Sequence, residues 1–381
     1  MESANSPHIC ILAPHAYPLL ARDREVPLIG GAELQMVLIA RLLARRGWRI
    51  SMVCLNYGQA DRVMIDGVQV LRGYEPNAGL PVIRFVWPRL VETWRCMKRA
   101  DADIYYQQTA GMLTGVMAKF CMLHGKRSIY ASASNPDLAR NTPRIQYARD
   151  RWIYEYGLRN VDRIFVQNME QARLSLENFA RTAHIVPNCY DIPDYANLHT
   201  NPEYVLWVST IRGVKQPHKF LDLASALPQQ KFVMVGGPDP LEMELYDSVR
   251  ARAASLDNLK FEGFVPFDEV EKIFDRAAVF VNTSESEGVP NAFLQAWARG
   301  VPTVSFVDAG ARFDGRPVGH IVLQQDEMLS EVDRLLKDDR ARRQEGLRSR
   351  EYVRTTHSAE AVVPLYERHF EELLRMSSAT R

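Results

Sequence analysis

Between Val279 and Pro302 the chain reads VFVNTSESEGVPNAFLQAWARGVP: an apolar run, a loop holding Glu285, Glu287 and Gly288, then a helix-forming stretch from Asn291. Strand, loop and helix in that order put both acids and several backbone N–H groups at a helix N-terminus. Such a terminus attracts phosphate oxygens through its unpaired donors and its dipole. Carboxylates in the same place can accept sugar hydroxyls instead. The alternative is ordinary N-terminal capping of a helix that Gly300 closes.

Other chemistry-bearing groups are more dispersed. Ser132-Ala133-Ser134-Asn135-Pro136-Asp137 follows an apolar run, so Asn135 and Asp137 would face a ligand if that run is a strand; a plain turn is the alternative. Asp101-x-Asp103 is a pair that can hold a divalent ion, but its context is plain and no metal site is expected. The nine histidines are scattered, and the five cysteines form no C-x-x-C pair, which excludes a zinc framework and fits reduced thiols. Arg84–Arg99 interleaves Trp87 and Trp94 with five basic residues and one acid. It reads as a face for an anionic membrane, or as a solvated basic helix that Pro88 interrupts.

The elements that must position these groups alternate. His8–Ala13 is a strand and Pro14–Ile29 a long loop. Gly30-Gly31 then opens a helix with Leu34, Val37, Leu38 and Leu42 on one face, and Arg49–Leu55 is the next strand. Val68–Leu71, Asp103–Tyr106, Ser128–Ala131 and Arg163–Val166 are further strands. Asp191–Glu203 (DIPDYANLHTNPE) is the linker candidate. The pattern restarts after it: strands at Tyr204–Val208, Lys231–Val235, Leu259–Phe261, Val279–Asn282 and Thr303–Phe306, helices at Pro217–Leu227 and Asn291–Arg299. Ala359–Leu374 is an amphipathic last helix. Alternation of this kind predicts two tandem Rossmann-like, doubly wound α/β domains, with ligands at the carboxyl ends of the strands.

Length and composition agree with two globular domains: 381 residues, 46% hydrophobic and 24% charged, without repeats or low-complexity segments. Residues 1–199 carry 24 Lys+Arg against 18 Asp+Glu, while the rest is acidic in excess and the whole chain nets +1. That split suggests different partners for the halves, or is ordinary scatter. The opening MESANSPHICILAPH lacks a basic n-region and breaks at Pro14, so it does not read as a signal peptide. No uncharged stretch reaches the ~18–20 residues of a membrane span.

The Val279–Pro302 segment resembles the signature of the retaining glycosyltransferases of GT-B fold, family 4, also called glycosyl transferases group 1. Their pattern, E-G-x-P-N-x-x-x-E-A-x-A-x-G-x-P, is reproduced by Glu287, Gly288, Pro290, Asn291, Ala296, Ala298, Gly300 and Pro302. Its second Glu falls on Gln295. The resemblance extends along the chain. Gly30-Gly31-Ala32-Glu33 is similar to the family's N-terminal G-G-A-E loop, and Pro187-Asn188 with Asp191 to the stretch before its linker. Val208–Ile211 with Lys215 is similar to V-G-R-L-x-x-x-K, except that Thr210 stands where the family has an Arg on the diphosphate. Gly236-Gly237 ends a strand as in the family, and Gly263-Phe264-Val265 is similar to the loop flanking the nucleotide base.

That resemblance implies a GT-B architecture with an interdomain cleft: residues 1–195 as acceptor domain, 200–358 as donor domain, and the 359–381 helix packing back on the first. It implies transfer of a sugar from a nucleotide-diphosphate sugar to a glycan or lipid-linked acceptor with retention, in bacterial surface or exopolysaccharide assembly. Lys215, Glu287 and Arg212 would be catalytic; Arg212 would stand in for the missing Arg. Gly30, Gly31, Thr210, Gly237, Phe264, Val265, Gly288, Val289, Pro290, Asn291 and Gln295 would hold the donor, with Glu287 on its sugar and Gln295 on its ribose. Asn135 and Asp137 would replace a His that many members carry. The nucleotide sugar is a substrate, so no cofactor or metal is expected, nor a nucleic-acid partner. The expected location is cytoplasmic, with peripheral contact at the inner membrane. A non-catalytic binding subunit, motivated by Thr210 and Gln295, and a nucleotide-sugar epimerase are the rival readings.

Overall fold

The computed structural model describes residues 6–23, 30–79, 85–192 and 202–378. The chain divides into two compact units, Met1–Cys189 with Ala359–Arg381, and Tyr190–Ser358. Much of the expected linker, including the 195–200 junction, lies outside the described residues, as does Arg84.

The first unit is built on an eight-stranded sheet. Its strands are β1 (His8–Leu12), β2 (Arg49–Cys54), β3 (Arg62–Ile65), β4 (Val68–Arg72), β5 (Ile104–Gln108), β6 (Arg127–Ala131), β7 (Arg163–Val166) and β8 (His184–Ile185). The order is β3-β4-β2-β1-β5-β6-β7-β8, parallel except for the β3–β4 hairpin. Helices α1 (Tyr17–Ala21), α2 (Gly31–Arg45), α3 (Val91–Ala100), α4 (Met112–His124), α5 (Ala148–Asn160) and α6 (Met169–Phe179) connect them. Side-chain alternation splits each central strand between two cores. Ile9 and Ile11 of β1 pack with Met36, Val37 and Leu43 of α2, and with Val362, Val363 and Phe370 of the C-terminal helix Ala359–Ser378. Cys10 and Leu12 face the other way, onto Met97 of α3, Phe120 of α4 and Tyr154 of α5. All five cysteines are buried and none bonds to another through sulfur, and burial pushes the Cys10 thiol up to about 12.

Two expectations need correction here. The Pro14–Ile29 segment is not all loop: Tyr17–Ala21 forms a short helix with Pro18 in its first turn, where a missing N–H costs nothing. Pro88 interrupts the Arg84–Arg99 stretch as expected, but the helix beyond it is not a solvated one. Trp87 is extended (φ −124°, ψ 122°), which kinks the chain ahead of α3, and Thr93, Cys96 and Met97 of that helix are buried.

The second unit has a parallel six-stranded sheet. Its strands are β9 (Tyr204–Val208), β10 (Phe232–Val235), β11 (Leu259–Gly263), β12 (Ala277–Asn282) and β13 (Thr303–Ser305). After the small β14 (Arg312–Phe313) and β15 (Arg316–Pro317) hairpin comes β16 (His320–Ile321). The order is β11-β10-β9-β12-β13-β16. Helices α7 (Pro217–Ala226), α8 (Met243–Ala253), α9 (Phe267–Phe274), α10 (Asn291–Ala298), α11 (Gln325–Lys337) and α12 (Asp339–Thr356) cover its two faces. Phe293 and Trp297 of α10 and Val353 of α12 fill one core, and Phe220 of α7 with Val332 and Leu335 of α11 the other. Both units are thus Rossmann-like, doubly wound layers, as the alternation of the sequence predicts.

Candidate functional site

In the second unit β9 and β12 are neighbours, so the loops leaving their carboxyl ends lie side by side. Residues about seventy apart in sequence are thereby brought together. Glu285 N–H donates to Val214 O at 2.9 Å, and Thr283 Oγ1 donates to Lys215 O at 2.7 Å. Trp207, buried at the end of β9, fixes that threonine through Nε1 at 2.9 Å. The loops therefore meet as one backbone-locked surface.

On that surface Lys215 Nζ is paired with Glu287 Oε1, and the same oxygen accepts from Ser284 Oγ at 2.7 Å. The pair is mostly shielded, with side-chain exposures of 18% and 14%. Gln216, which takes a left-handed conformation, donates its amide to Glu285. The acids do not cap α10. Pro290 is its N-cap residue and no side chain caps it, so the capping alternative fails for Glu285 and Glu287. Gly288, Val289, Pro290 and Asn291 form the lead into that helix, with Val289 buried.

Next to β9, β10 supplies two glycines that allow close approach. A Cβ on Gly236 would stand 2.3 Å from Ser209 O, so only glycine lets the β9 exit strand pass. A Cβ on Gly237 would crowd Phe264 at 3.2 Å, which seats the Gly263-Phe264-Val265 loop against β10. Thr210 and Ile211 follow β9, with Ile211 bridged to Pro238. Arg212 pairs with Asp239, whose carboxyl is held below its usual range by the Leu241 N–H and by that guanidinium. Glu242, three residues beyond Asp239, accepts from Gly213 N–H, so the β9 loop is tied to the β10 loop as well as to the β12 loop. Lys215 and Glu287 are brought together directly, while Arg212 is engaged by Asp239.

Gln295, on α10, is buried and donates Nε2 to Glu271 Oε1 at 2.8 Å. Sequence reasoning missed Glu271, Ser284, Asp239 and Gln216. Only Ser284 had a signal, its place beside the two acids; the others are isolated polar residues in helix or loop sequence.

The first unit places its own candidates at strand ends. Gly30 is the N-cap of α2 with extended backbone, and the Glu33 carboxylate folds back over it, where a Cβ would meet Oε2 at 2.1 Å. Gly31 begins the helix. Gln35, one turn on, clamps Cys189 with both amide atoms, at 2.9 and 2.8 Å, which fixes the Pro187-Asn188 segment beside α2. After β6, Asp137 is fully buried. It accepts from Ala133 N–H at 2.8 Å and Ser134 N–H at 3.2 Å, and pairs with Arg144. Its carboxylate shapes its own loop and is not presented to a ligand, which corrects the expectation for that residue. Burial raises its pKa. Asn135 differs: its Oδ1 is buried with no hydrogen-bond partner.

The Asp101-x-Asp103 pair is spent elsewhere, Asp101 on Lys126 at 2.8 Å and Asp103 on His8 N–H at 2.9 Å. Among the described residues, no helix is long and apolar enough to cross a membrane.

A lysine–carboxylate pair, glycine-lined strand ends and an uncapped helix start, all at the carboxyl edge of a parallel sheet, can bind a phosphorylated ligand with attached hydroxyls. Comparison with known proteins gives this a family. Residues 30–189 match the model of the glycosyl transferase 4-like domain, and residues 202–338 that of the glycosyl transferases group 1. No curated protein matches the chain. Among solved structures, sucrose-phosphate synthase from Thermosynechococcus elongatus is similar with a TM-score of 0.77 at 16% identity, over 97% of this chain and 100% of that one. HepE from Anabaena, solved with UDP and glucose, gives 0.72 at 14% identity, over 96% and 100%. A glycosyltransferase from Rickettsia africae gives 0.70 at 12% identity, over 97% and 99%. At such identities these structures establish the fold. With the two family matches they define the class: the chain belongs to the GT-B glycosyltransferases of group 1, family 4.

Proposed function

We propose that this glycosyltransferase moves a sugar from a nucleoside-diphosphate sugar to a glycan or lipid-linked acceptor with retention of configuration, in the assembly of a bacterial surface or exported polysaccharide. The Lys215–Glu287 pair at the adjoining ends of β9 and β12 carries the reading. Departure of a nucleoside diphosphate builds negative charge on the bridging oxygen. An ammonium group with three donors can hold Glu287 and still donate to a phosphate, and backbone N–H groups at the start of α10 add to the field. Glu287, fixed by Ser284 and Lys215, is oriented to accept hydroxyls of the donor sugar. Thr210, Gly237, Phe264, Val265, Gly288 to Asn291 and Gln295 line the strand ends around it. Arg212 contributes through the part of its fork that Asp239 does not engage.

The first unit is assigned to the acceptor. Gly30 and Gly31 at the α2 start and the orphaned Asn135 Oδ1 are the polar groups offered there. Val86 and Trp87 are exposed, with Arg95 stacked 5.2 Å from the Trp87 ring. That supports contact with the cytoplasmic face of an anionic membrane. Charge neutralisation by Lys215 and Arg212 assigns no role to a metal.

Thermal unfolding of the pure protein with millimolar UDP, GDP and ADP, with and without chelator, tests the donor site. A nucleotide at about 100 times its Kd adds roughly 2.7 kcal/mol, about 2–4 °C in a chain this size. One base should shift the transition, equally with chelator present. No shift with any nucleotide would overturn the donor assignment and favour a non-catalytic binding subunit.

A further inference from the structure

At the carboxyl ends of β1, β2 and β4 the first unit holds a cavity of about 130 Å³. Its walls are apolar: Leu12, Val53 and Leu55 come from the strand ends, and Met112 and Leu113 from the first turn of α4. The place is a switch point in the sheet. Connections from β1 run to one side, toward β2 and β4, and those from β5 to the other, toward β6 and β7. The loops diverge there and leave a crevice, which is where ligands of such sheets sit.

Of the residues lining the cavity, Arg89 alone is charged. It stands beside Tyr74: burial pushes that phenol up, and the guanidinium draws it back. Both side chains are partly exposed, which leaves the guanidinium within reach of an incoming group. Two and three residues before Arg89, Trp87 and Val86 are exposed at 51% and 52%. A glycan does not suit this lining. Each sugar hydroxyl taken from water needs a hydrogen-bond partner, and the side-chain oxygen and nitrogen atoms here come from Arg89, Tyr74 and the buried Thr93 alone. A hydrocarbon does suit it. An apolar cavity of about 150 Å³ accepts benzene, so one of this size takes a branched unit of about five carbons. The fork of donors on Arg89 matches a phosphate attached to that unit.

We propose that this cavity takes the hydrocarbon nearest the phosphate of a lipid-linked acceptor, with Arg89 on the phosphate and the rest of the chain against Val86 and Trp87. This rests on the assignment of the first unit to the acceptor. It narrows that acceptor to a lipid phosphate, on an isoprenoid or a straight alkyl chain, in place of a free glycan.

Calorimetric titration of the full chain with geranyl phosphate, decyl phosphate, geraniol and inorganic phosphate tests this, with the lipids kept below micelle-forming concentrations. A lipid phosphate should bind about 100-fold more tightly than inorganic phosphate, since each buried methylene is worth about fourfold. The tighter of the two identifies the chain type. Arg89→Gln should weaken that lipid phosphate by about 10- to 100-fold, the worth of a hydrogen bond to a charged group, and leave geraniol unchanged. Leu113→Phe, which fills the cavity, should weaken lipid phosphate and geraniol alike; melting curves check that both variants fold. Lipid phosphates that bind no better than inorganic phosphate, or that bind both folded variants as they bind wild type, overturn the inference. If UDP, GDP or ADP still binds in that case, the transferase reading stands, with an acceptor that carries no lipid. Binding of a lipid phosphate without any nucleotide removes the transferase reading and leaves the lipid-phosphate site in place.

Discussion

Lys215 and Glu287 neutralise one another in a shielded pair, and this fixes how each responds to substitution. Truncating the lysine leaves Glu287 with its Ser284 contact and removes the Lys215 ammonium group from the β9–β12 junction. Folding should survive, because Thr283 holds the Lys215 carbonyl rather than its side chain. Lys215→Ala should lower kcat by about 10²- to 10³-fold, the scale seen when a single donor to a developing oxyanion is lost, with the melting temperature reduced by a few degrees at most. Lys215→Arg should not restore the rate, since the larger planar guanidinium cannot take the compact ammonium's position against Glu287. Initial rates with the nucleotide sugar, beside a melting curve for each variant, decide this. Turnover at the wild-type rate in Lys215→Ala would remove the pair from the mechanism. Of these site residues, the pair could be anticipated from motif spacing. The Glu271 contact could not, because nothing in the α9 sequence marks one of its acids as facing α10.

Helices pack where small residues let them, and α4 against α5 is the clearest instance. Gly157 of α5 lies on Gly115 of α4: a Cβ added at Gly157 would come within 2.6 Å of Gly115 N and 2.7 Å of the Thr114 carbonyl carbon. Backbone cannot yield as a side chain can, so Gly157→Ala should destabilise the first unit by about 1–3 kcal/mol. Gly111→Ala, at the extended N-cap of α4 where nothing lies within 4 Å, should stay within about 0.5 kcal/mol of wild type. Denaturant unfolding of the two variants makes the comparison. The same scale shows which elements were readable beforehand. Strands with continuous apolar runs, such as β1, β2, β9 and β12, announce themselves because they are buried on both faces. The β3–β4 hairpin was missed although Asp66-Gly67 at its turn, both at positive φ, carries the usual signal. Its outer strand is half exposed and only four residues long, so no apolar run drew attention to it. Strands β8 and β14–β16 are two residues each, too short for any periodicity.

At the scale of the whole chain, the first unit is discontinuous: it is completed by the last helix, which brings Tyr366, Phe370 and Leu373 into the core of β1, β5 and β7. That helix also carries His369, its ring tilted against that of His184 of β8 at 4.6 Å between centroids and next to Arg163 of β7. Burial, the second imidazole and the guanidinium hold His369 down to about 4; burial and Arg163 lower His184 as well. His8, packed between Ser51 and Arg49, is likewise held down to about 4, chiefly by burial. All three are neutral in the folded unit at pH values where the unfolded chain already takes up protons. Stability is therefore full above about pH 6.5, falls as the pH drops toward 4, and levels off once the folded rings titrate. The buried His8 alone accounts for on the order of 2–3 kcal/mol across that window. Asp137, whose pKa is raised, acts in the opposite direction and offsets part of the loss. In the second unit burial lowers His320 as well. Unfolding free energies at pH 7 and pH 4.5 should differ by several kcal/mol for wild type, and by less in His369→Gln, which cannot acquire the charge. An equal pH response in the variant would place the acid sensitivity outside the contact that ties the last helix to its sheet.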